Sequence, residues 1–207
     1  PLNPVLRMKR YLLLLAFLMP ALLPLLAQNW DISTVDQINS WDHGFIRNYN
    51  KVISRSEPYI VVGVPLAMAL AGWIKHDRDL LKDALYVGTS EAGTFILTYG
   101  LKYIVDRARP YESYPHRINP YSLESDPSFP SGHTATAFAL ATSLCIRYPK
   151  WYVIAPSALW ACSVGLSRMN EGVHYPTDVL AGAVLGAGFA VANVYINRWL
   201  NRWLFGE

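Results

Sequence analysis

The chain has 207 residues, of which 52% are apolar and 16% charged, whereas soluble domains carry about 25% charged residues. This composition favours a membrane protein made of one domain or one helical bundle. The net charge is only +3 and the basic residues form no tract, which argues against a nucleic-acid-binding surface. The mean hydropathy of +0.16 requires substantial polar loops between the apolar segments.

The first 27 residues have the pattern of a targeting segment. A basic start at residues 8–10 precedes an apolar run that ends at Ala27, as in a secretory signal peptide. An uncleaved first transmembrane helix is the alternative, and either one would take the chain out of the cytoplasm. Residues 1–7 are expected to be an upstream extension of the reading frame, and residues 28–207 to be the functional domain.

Residues 29–57 are polar, with apolar side chains that recur at steps of about three residues. The pattern predicts an amphipathic helix, which would lie on the membrane interface or cap the bundle. The sequence does not separate these two placements. The recurring side chains are Trp30, Ile32, Val35, Ile38 and Trp41.

Five apolar segments follow, and no strand-like alternation is sustained anywhere. The fold is therefore predicted to be all-α, a membrane helical bundle of five to six transmembrane helices with an N-terminal amphipathic segment. Glu91 is expected to face the bundle interior, and Gly182 and Gly186 to permit close helix contact. The apolar segments span residues 59–74, 84–105, 134–148, 151–166 and 179–196.

Loop charges give this bundle an orientation. Basic residues occur in the short connections at 75–82 and 147–150 and near the carboxyl end, and such residues favour the cytoplasmic side. The long polar loops 106–132 and 167–178 would then share the other, extracytoplasmic side.

The last of these loops holds a candidate nucleophile. His174 and Asp178 are four residues apart, a spacing that stacks two side chains on one face if the segment is helical. The carboxylate can then hold one imidazole nitrogen and leave the other free to attack. Arg168 adds a cation to the same loop.

A pair of cations lies at the end of the second apolar segment. Lys102 and Arg109 are seven residues apart, so they would share a face if the helix continued as far as Pro110. Two fixed cations on one face suit a phosphate, although snorkelling at a membrane boundary produces the same pattern.

The stretch Ser131-Gly132-His133 directly precedes an apolar helix. The free backbone N–H groups of a helix start can bind an anion, and Gly132 lets the ligand approach the backbone closely. His133 can supply a proton. By itself this stretch would be explained equally well as a helix cap.

Together, the three stretches can handle a phosphoryl group, whose three equatorial oxygens match three cationic side chains. His174 can attack phosphorus, while His133 protonates the leaving oxygen and then activates water. Asp178 can fix the His174 tautomer and stabilise its positive charge. The sequence has no HExxH motif or aspartate cluster, so we expect that neither a metal nor another cofactor is required.

These stretches resemble the signature of the type-2 phosphatidic acid phosphatase superfamily, KxxxxxxRP, PSGH and SRxxxxxHxxxD, at every motif position and in order. The resemblance covers roughly residues 30–200. It implies a helical bundle, metal-free hydrolysis of a phosphomonoester or pyrophosphate, and a phosphohistidine at His174. It also implies an acid/base role for His133 and a supporting role for Asp178. The phosphate-binding residues that it implies are Lys102, Arg109, Ser131, Gly132 and Arg168.

The leading interpretation is a membrane lipid phosphatase, multi-pass in a bacterial inner membrane, with its active site facing the periplasm or cell exterior. The expected partners are the bilayer and a phosphorylated lipid: undecaprenyl pyrophosphate, phosphatidylglycerol phosphate, phosphatidate or a lipid A phosphate. Nucleic acid is not expected, and the oligomeric state is left open.

Two alternatives differ in class from this interpretation. A secreted, soluble acid phosphatase of the same superfamily would also carry a signal peptide, but the continuous apolar helices argue against it. A non-enzymatic membrane protein that binds phospholipid would not need the His174–Asp178 pair. The remaining histidines match no motif position and are expected on the surface: His43, His76 and His116.

The loop charges predict that the regions around Asp126 and Glu171 are extracytoplasmic and that the region around Lys150 is cytoplasmic. In intact cells, a membrane-impermeant thiol reagent should therefore label Asp126→Cys and leave Lys150→Cys unlabelled. The measurement is done in a chain whose two native cysteines are replaced by serine. Labelling at position 150 but not at 126 would show that the orientation is reversed.

Overall fold

The computed structural model describes residues 29–205, so the expected targeting segment at 1–27 lies outside the described residues. Residues 29–39 form a helix, α1, and no strand occurs anywhere in the described range. The prediction of an all-α fold is confirmed. The later helices are α2 (Gly44–Lys75), α3 (Arg78–Val105), α4 (Pro110–Ser113), α5 (Gly132–Arg147), α6 (Trp151–Asn170) and α7 (Pro176–Phe205).

Each long helix packs beside the long helix before it, and the chain reverses direction at each connection between them. The starts of α2, α5 and α7 therefore meet the ends of α3 and α6 at one end of the bundle, here called the motif end. The expected meeting of the two long polar loops there is confirmed: the Tyr121 N–H donates to the Glu171 carbonyl at 3.1 Å. The opposite end carries the basic residues of the short connections.

The outside of the bundle is apolar, as a membrane protein requires. Phe45, Tyr59 and Trp151 are 82%, 80% and 79% exposed, which would be costly in water. By length and hydropathy, two described helices can cross a bilayer, Gly44–Lys75 and Pro176–Trp203. The chain is a membrane helical bundle, and polar residues extend its helices beyond the apolar segments seen in the sequence.

Helix α1 caps the motif end of the bundle. Ile32 and Val35 are buried in a cluster with Ile118 and Tyr175, while Trp30 remains half exposed. The structure therefore supports the capping placement for residues 29–39, whose apolar face packs against the loops that carry the motifs. The rest of the predicted amphipathic segment, from residue 44 to residue 57, instead begins α2.

Helices α5 and α7 approach each other closely at two glycines. A Cβ at Gly186 would lie 1.9 Å from the Ala135 carbonyl oxygen, and a Cβ at Gly182 would lie 2.6 Å from the Ser131 carbonyl oxygen. The prediction of close helix contact is confirmed. The contact holds the starts of the two helices side by side, where the Ser131 N–H donates to the Asp178 carbonyl at 3.0 Å.

A stripe of polar side chains runs along the inner face of α3. Glu91 is 7% exposed, so its predicted interior position is confirmed. The side-chain oxygens of Glu91, Thr94 and Thr98 have no hydrogen-bond partner among residues 29–205. The stripe leads towards Lys102, one helical turn beyond Thr98, and so to the motif end.

The glycine contact gives a direct test of the packing. Gly186→Ala should destabilise the chain by about 1–3 kcal/mol, because the added methyl group meets backbone that cannot move aside. Gly188→Ala is the matched control on the same helix, since a Cβ there meets nothing within 4 Å. Thermal unfolding followed by circular dichroism in detergent measures both, and equal melting temperatures would contradict the packing described here.

Candidate active site

Three cationic side chains converge at the motif end. Lys102, Arg109 and Arg168 are only 2%, 1% and 3% exposed. They line a cavity of about 260 Å³ together with Gly132, His133 and His174. Six of the eight site residues that the sequence predicted thus face one cavity.

Arg109 reaches this cavity by a route that the sequence did not predict. Helix α3 ends at Val105, and Asp106 adopts a left-handed conformation with φ of 47°. The condition for a shared helix face, that α3 continues as far as Pro110, is therefore not met. Arg109 instead precedes the short helix α4, and its guanidinium donates to the Val173 carbonyl oxygen at 2.9 Å.

Asp126 joins the two cations of the first motif. Its carboxylate lies 3.0 Å from Lys102 Nζ and 2.7 Å from Arg109 Nη2. Burial alone would raise the pKa of Asp126, but the hydrogen bond and charge of Lys102, with the charge of Arg109, lower that pKa below its ordinary value. An ionised carboxylate thus satisfies the donors that would otherwise bind phosphate oxygens.

Arg168 is held by two carboxylates and a hydroxyl. Its Nη1 lies 2.8 Å from Glu171 Oε2 and 2.6 Å from Ser54 Oγ, and its Nη2 donates to Glu124 Oε1 at 2.5 Å. Each buried cation therefore has an acidic partner, as burial of a charge demands.

His174 lies at the floor of the cavity and is 1% exposed. Helix α7 begins only at Pro176, so the condition for stacking His174 and Asp178 on one helical face is not met. Gly172, with φ of 73°, turns the chain between α6 and α7. The turn brings His174 Nδ1 to 3.6 Å from Asp178 Oδ2 and His174 Nε2 to 3.3 Å from Arg109 Nη1.

The surroundings of His174 keep its ring neutral. Burial, and then the positive charges of Arg109, Arg168 and Lys102, hold the pKa of His174 well below its ordinary value. A neutral ring beside a guanidinium donor is assigned an unprotonated Nε2, with its proton on Nδ1 facing Asp178. This is the tautomer that a nucleophilic Nε2 needs.

Asp178 is fully buried behind His174 and is held from several directions. Its Oδ2 accepts from Ser128 Oγ at 2.6 Å and from the Tyr175 N–H at 2.9 Å. The Tyr175 bond is half of a helix capping box, formed by a carboxylate in the first turn of α7. Ser128 Oγ also lies 3.5 Å from His174 Nδ1, so it contacts both members of the pair.

Sequence reasoning missed the cation that holds Asp178. Arg107 Nη1 lies 2.6 Å from Asp178 Oδ1, and Arg107 Nη2 lies 2.8 Å from Asp31 Oδ2. The guanidinium stacks 3.9 Å above the Tyr175 ring, and Asp31 also accepts from Thr177 Oγ1 at 2.6 Å. Arg107 stands at a variable position of the first motif, and Asp31 on α1 has no sequence signal beyond its charge.

His133 also has a buried carboxylate nearby. Its Nε2 lies 3.9 Å from Glu57 Oε2, and Glu57 Oε1 accepts from Thr136 Oγ1 at 2.6 Å. Sequence reasoning also missed Glu57, whose signal was a carboxylate next to the first apolar segment. The Ser131 side chain does not line the cavity: its Oγ lies 2.8 Å from Thr134 Oγ1.

The histidines outside the motifs behave as expected. His43, His76 and His116 are exposed, so their predicted surface placement is confirmed. Within residues 29–205, no group of three or more His, Cys, Asp or Glu side chains is arranged to hold a metal ion.

The chain is similar in sequence to several curated phosphatases. The chain is 29% identical to undecaprenyl-diphosphatase BcrC of Bacillus subtilis, over 69% of this chain and 74% of the relative. It is 37% identical to an undecaprenyl-diphosphatase of Sulfolobus acidocaldarius, over 60% of this chain and 63% of the relative. It is 33% identical to a lipid A 1-phosphatase of Rhizobium johnstonii, over 55% of this chain but only half of the relative.

Two crystal structures share the fold. The Aquifex aeolicus LpxE structure superposes with a TM-score of 0.69 at 23% identity, covering 80% of this chain and 95% of the other. A transmembrane phosphatidylglycerolphosphate phosphatase of Bacillus subtilis gives a TM-score of 0.71 at 24% identity, covering 92% and 96%. The sequence model of the PAP2 superfamily matches residues 83–202 of this chain. Because that match spans more than half of the chain, the protein belongs to the PAP2 superfamily.

Proposed function

We propose that this chain is a membrane lipid phosphatase that acts through a phosphohistidine at His174. It is a phosphoric ester and diphosphate hydrolase of the PAP2 type. The observation that carries the proposal is the position of His174, which is buried in one cavity with Lys102, Arg109 and Arg168 and has its Nε2 3.3 Å from Arg109 Nη1. These surroundings hold the pKa of His174 well below its ordinary value. Binding alone does not need an unprotonated nitrogen aimed into an anion site.

The first step is attack of His174 Nε2 on phosphorus. The Nε2–phosphorus bond forms as the bond from phosphorus to the lipid oxygen breaks, and His133 donates a proton to that oxygen. The three cations bind the equatorial oxygens of the phosphoryl group. To make these contacts, the substrate must displace the carboxylates of Asp126 and Glu124 from the cations. Asp178 stabilises the positive charge that develops on the His174 ring.

The second step is hydrolysis of the phosphohistidine. His133, now neutral, takes a proton from water, and the resulting hydroxide oxygen bonds to phosphorus as the bond to Nε2 breaks. Inorganic phosphate leaves and His174 is regenerated as a neutral ring. Both steps use the same acid/base residue in opposite directions.

The walls of the cavity support a lipid as the substrate. Apolar side chains of α2 and α3, among them Val61, Val62 and Phe95, line part of it, and Phe95 is 53% exposed on the outside of the bundle. A lipid can therefore keep its chain among apolar helices while its phosphate meets the cations. The same apolar exterior argues against the soluble acid phosphatase.

The names of the relatives narrow the choice of substrate. We propose a polyprenyl diphosphate such as undecaprenyl diphosphate, or a lipid A phosphate. We also propose that the chain lies in a bacterial inner membrane with the motif end facing the periplasm. Support for this orientation comes from the basic residues Lys75, Arg78, Arg147 and Lys150, which lie at the end away from the site.

The nucleophile can be identified by trapping it. Labelled lipid phosphate, quenched during turnover, should leave an acid-labile phosphoryl group on the peptide that contains His174. His174→Ala should lose turnover on the order of a thousandfold or more while its melting temperature stays near that of the unaltered chain. His133→Ala should recover part of its rate on an activated aryl phosphate, because that leaving group needs no proton.

Two results would count against these roles. Label on the peptide that contains Ser131 and His133 would show that the nucleophile belongs to that motif and is not His174. Near-normal turnover by a folded His174→Ala chain would exclude His174 as the nucleophile. A folded, lipid-binding chain that releases no phosphate from any lipid would favour the non-enzymatic alternative.

The bridge from Arg107 to Asp178 predicts a loss of rate without a loss of binding. Arg107→Ala should lower kcat by up to about 100-fold, because a small displacement of the catalytic pair is costly, while KM changes little. Arg107→Lys should recover only part of the rate, since an ammonium group cannot bridge Asp31 and Asp178 as a planar guanidinium does.

Arg117→Ala is the matched control. Arg117 also joins α1 to the long loop, through an exposed ion pair with Asp36 at 2.6 Å, but it does not contact the catalytic pair. The Arg117→Ala variant should retain nearly the full kcat of the unaltered chain. Equal losses in the two alanine variants would show that Arg107 acts only by fastening α1.

A further inference from the structure

A second cavity, of about 290 Å³, adjoins the catalytic cavity. Pro58, Glu124, His133 and Arg168 line both cavities. The two cavities are therefore immediate neighbours, separated by no more than these side chains. The mouth of the second cavity lies where α2 enters the bundle at the motif end.

One wall of the second cavity is a row of cations on α2. Arg47, Lys51 and Arg55 line it and follow each other at steps of four residues, which places them on one helix face. Phe45 and Val52, 82% and 64% exposed, lie on a different face and form part of the apolar exterior. The cations therefore face the cavity and not the lipid chains.

Two of these cations form no ion pair within 4 Å among the described residues, although the charge of Arg55 acts on Glu171. Arg47 forms an ion pair with Asp42 at 3.3 Å and lies 4.4 Å above the Tyr121 ring. Within residues 29–205, Lys51 and Arg55 form no such pair. They remain available to an anion.

The carboxylates of the second cavity neutralise this row only in part, through the charge of Glu171 acting on Arg55. Glu124 and Glu171 both pair with Arg168, at 2.5 Å and 2.8 Å, and Glu171 also accepts from Ser54. The acidic residues thus balance the catalytic cation, and a net positive charge is left on the α2 wall.

The row of cations lies at the end of the bundle where the proposed orientation predicts few basic residues. Basic residues flanking membrane helices collect on the cytoplasmic side, which the charges of the short connections place at the opposite end of the bundle. Cations at the motif end run against that tendency. Binding of an anionic group of the ligand would explain their position, because two cations beside a phosphate site can form charge-assisted hydrogen bonds to a second anion.

We propose that Lys51 and Arg55 form a subsite for a second phosphate of the substrate, while His174 attacks the first. The inference rests on the proposed phosphatase function and narrows its substrate class to lipids whose headgroup carries two phosphates. The two are joined as a diphosphate or placed apart on a phosphorylated sugar. A lipid monophosphate leaves this subsite without its anion.

The test compares three lipids: a polyprenyl monophosphate, the diphosphate of the same polyprenol, and a glycolipid with phosphates on two sugar positions. In the double variant Lys51→Gln/Arg55→Gln, the KM for at least one two-phosphate lipid should rise about tenfold, the effect expected from losing charge-assisted contacts. The KM for the monophosphate and all kcat values should stay within about twofold. The lipid that responds shows whether the second phosphate is adjacent or remote.

The control variant is Lys75→Gln/Lys150→Gln, which removes the same charge at the opposite end of the bundle. It should leave all three KM values unchanged, which separates a subsite from a general effect of net charge. The inference is overturned if the KM of neither two-phosphate lipid changes in the Lys51/Arg55 variant. It is equally overturned if the monophosphate KM rises by the same factor.

A binding measurement separates this inference from the proposed activity. In a His174→Ala background, which cannot turn over, the Kd of the three lipids is measured with and without the Lys51/Arg55 changes. Selective weakening of a two-phosphate lipid supports the subsite even if the unaltered chain were to release no phosphate. Equal Kd values would overturn the subsite even if hydrolysis is confirmed.

Discussion

The burial of three cations at one end of an apolar bundle is the constraint on which the rest of the structure depends. A charge removed from water is tolerated only when it is paired. Lys102 and Arg109 share Asp126, and Arg168 takes Glu124 and Glu171. Because two of these carboxylates belong to the long loop between α3 and α5, the loop is fastened over the site by the charges that the site requires.

The same pairing sets the conditions for catalysis. A phosphate that enters the cavity must take over donors that Asp126 and Glu124 already satisfy. The exchange favours a ligand with more charge and more acceptor oxygens than a carboxylate. The positive surroundings also hold the pKa of His174 low, so in the proposed mechanism one set of cations binds the substrate and keeps the nucleophile unprotonated.

Support for the proposed catalytic pair, His174 and Asp178, comes from outside the three motifs. Arg107 connects Asp178 to Asp31, and α1 therefore contributes to the geometry of the site as well as covering it. Motif spacing could not reveal this connection, because Asp31 and Asp178 are far apart in the chain and meet only when α1 packs across the motif end. The spacing of Lys51 and Arg55 places them on one helix face, but the sequence does not show that this face lines a cavity.

The sequence by itself determined the helical class, the membrane setting, the close contact at Gly182 and Gly186, and six residues that line the cavity. These follow from local properties: apolar runs, small residues at fixed spacing and reactive side chains in short stretches. Only the tertiary structure decided that α3 stops before Arg109, that His174 precedes α7, and that Ser131 bonds to Thr134. Those outcomes depend on where the chain turns and on which distant carboxylate reaches a buried cation, and neither is encoded in the spacing of a motif.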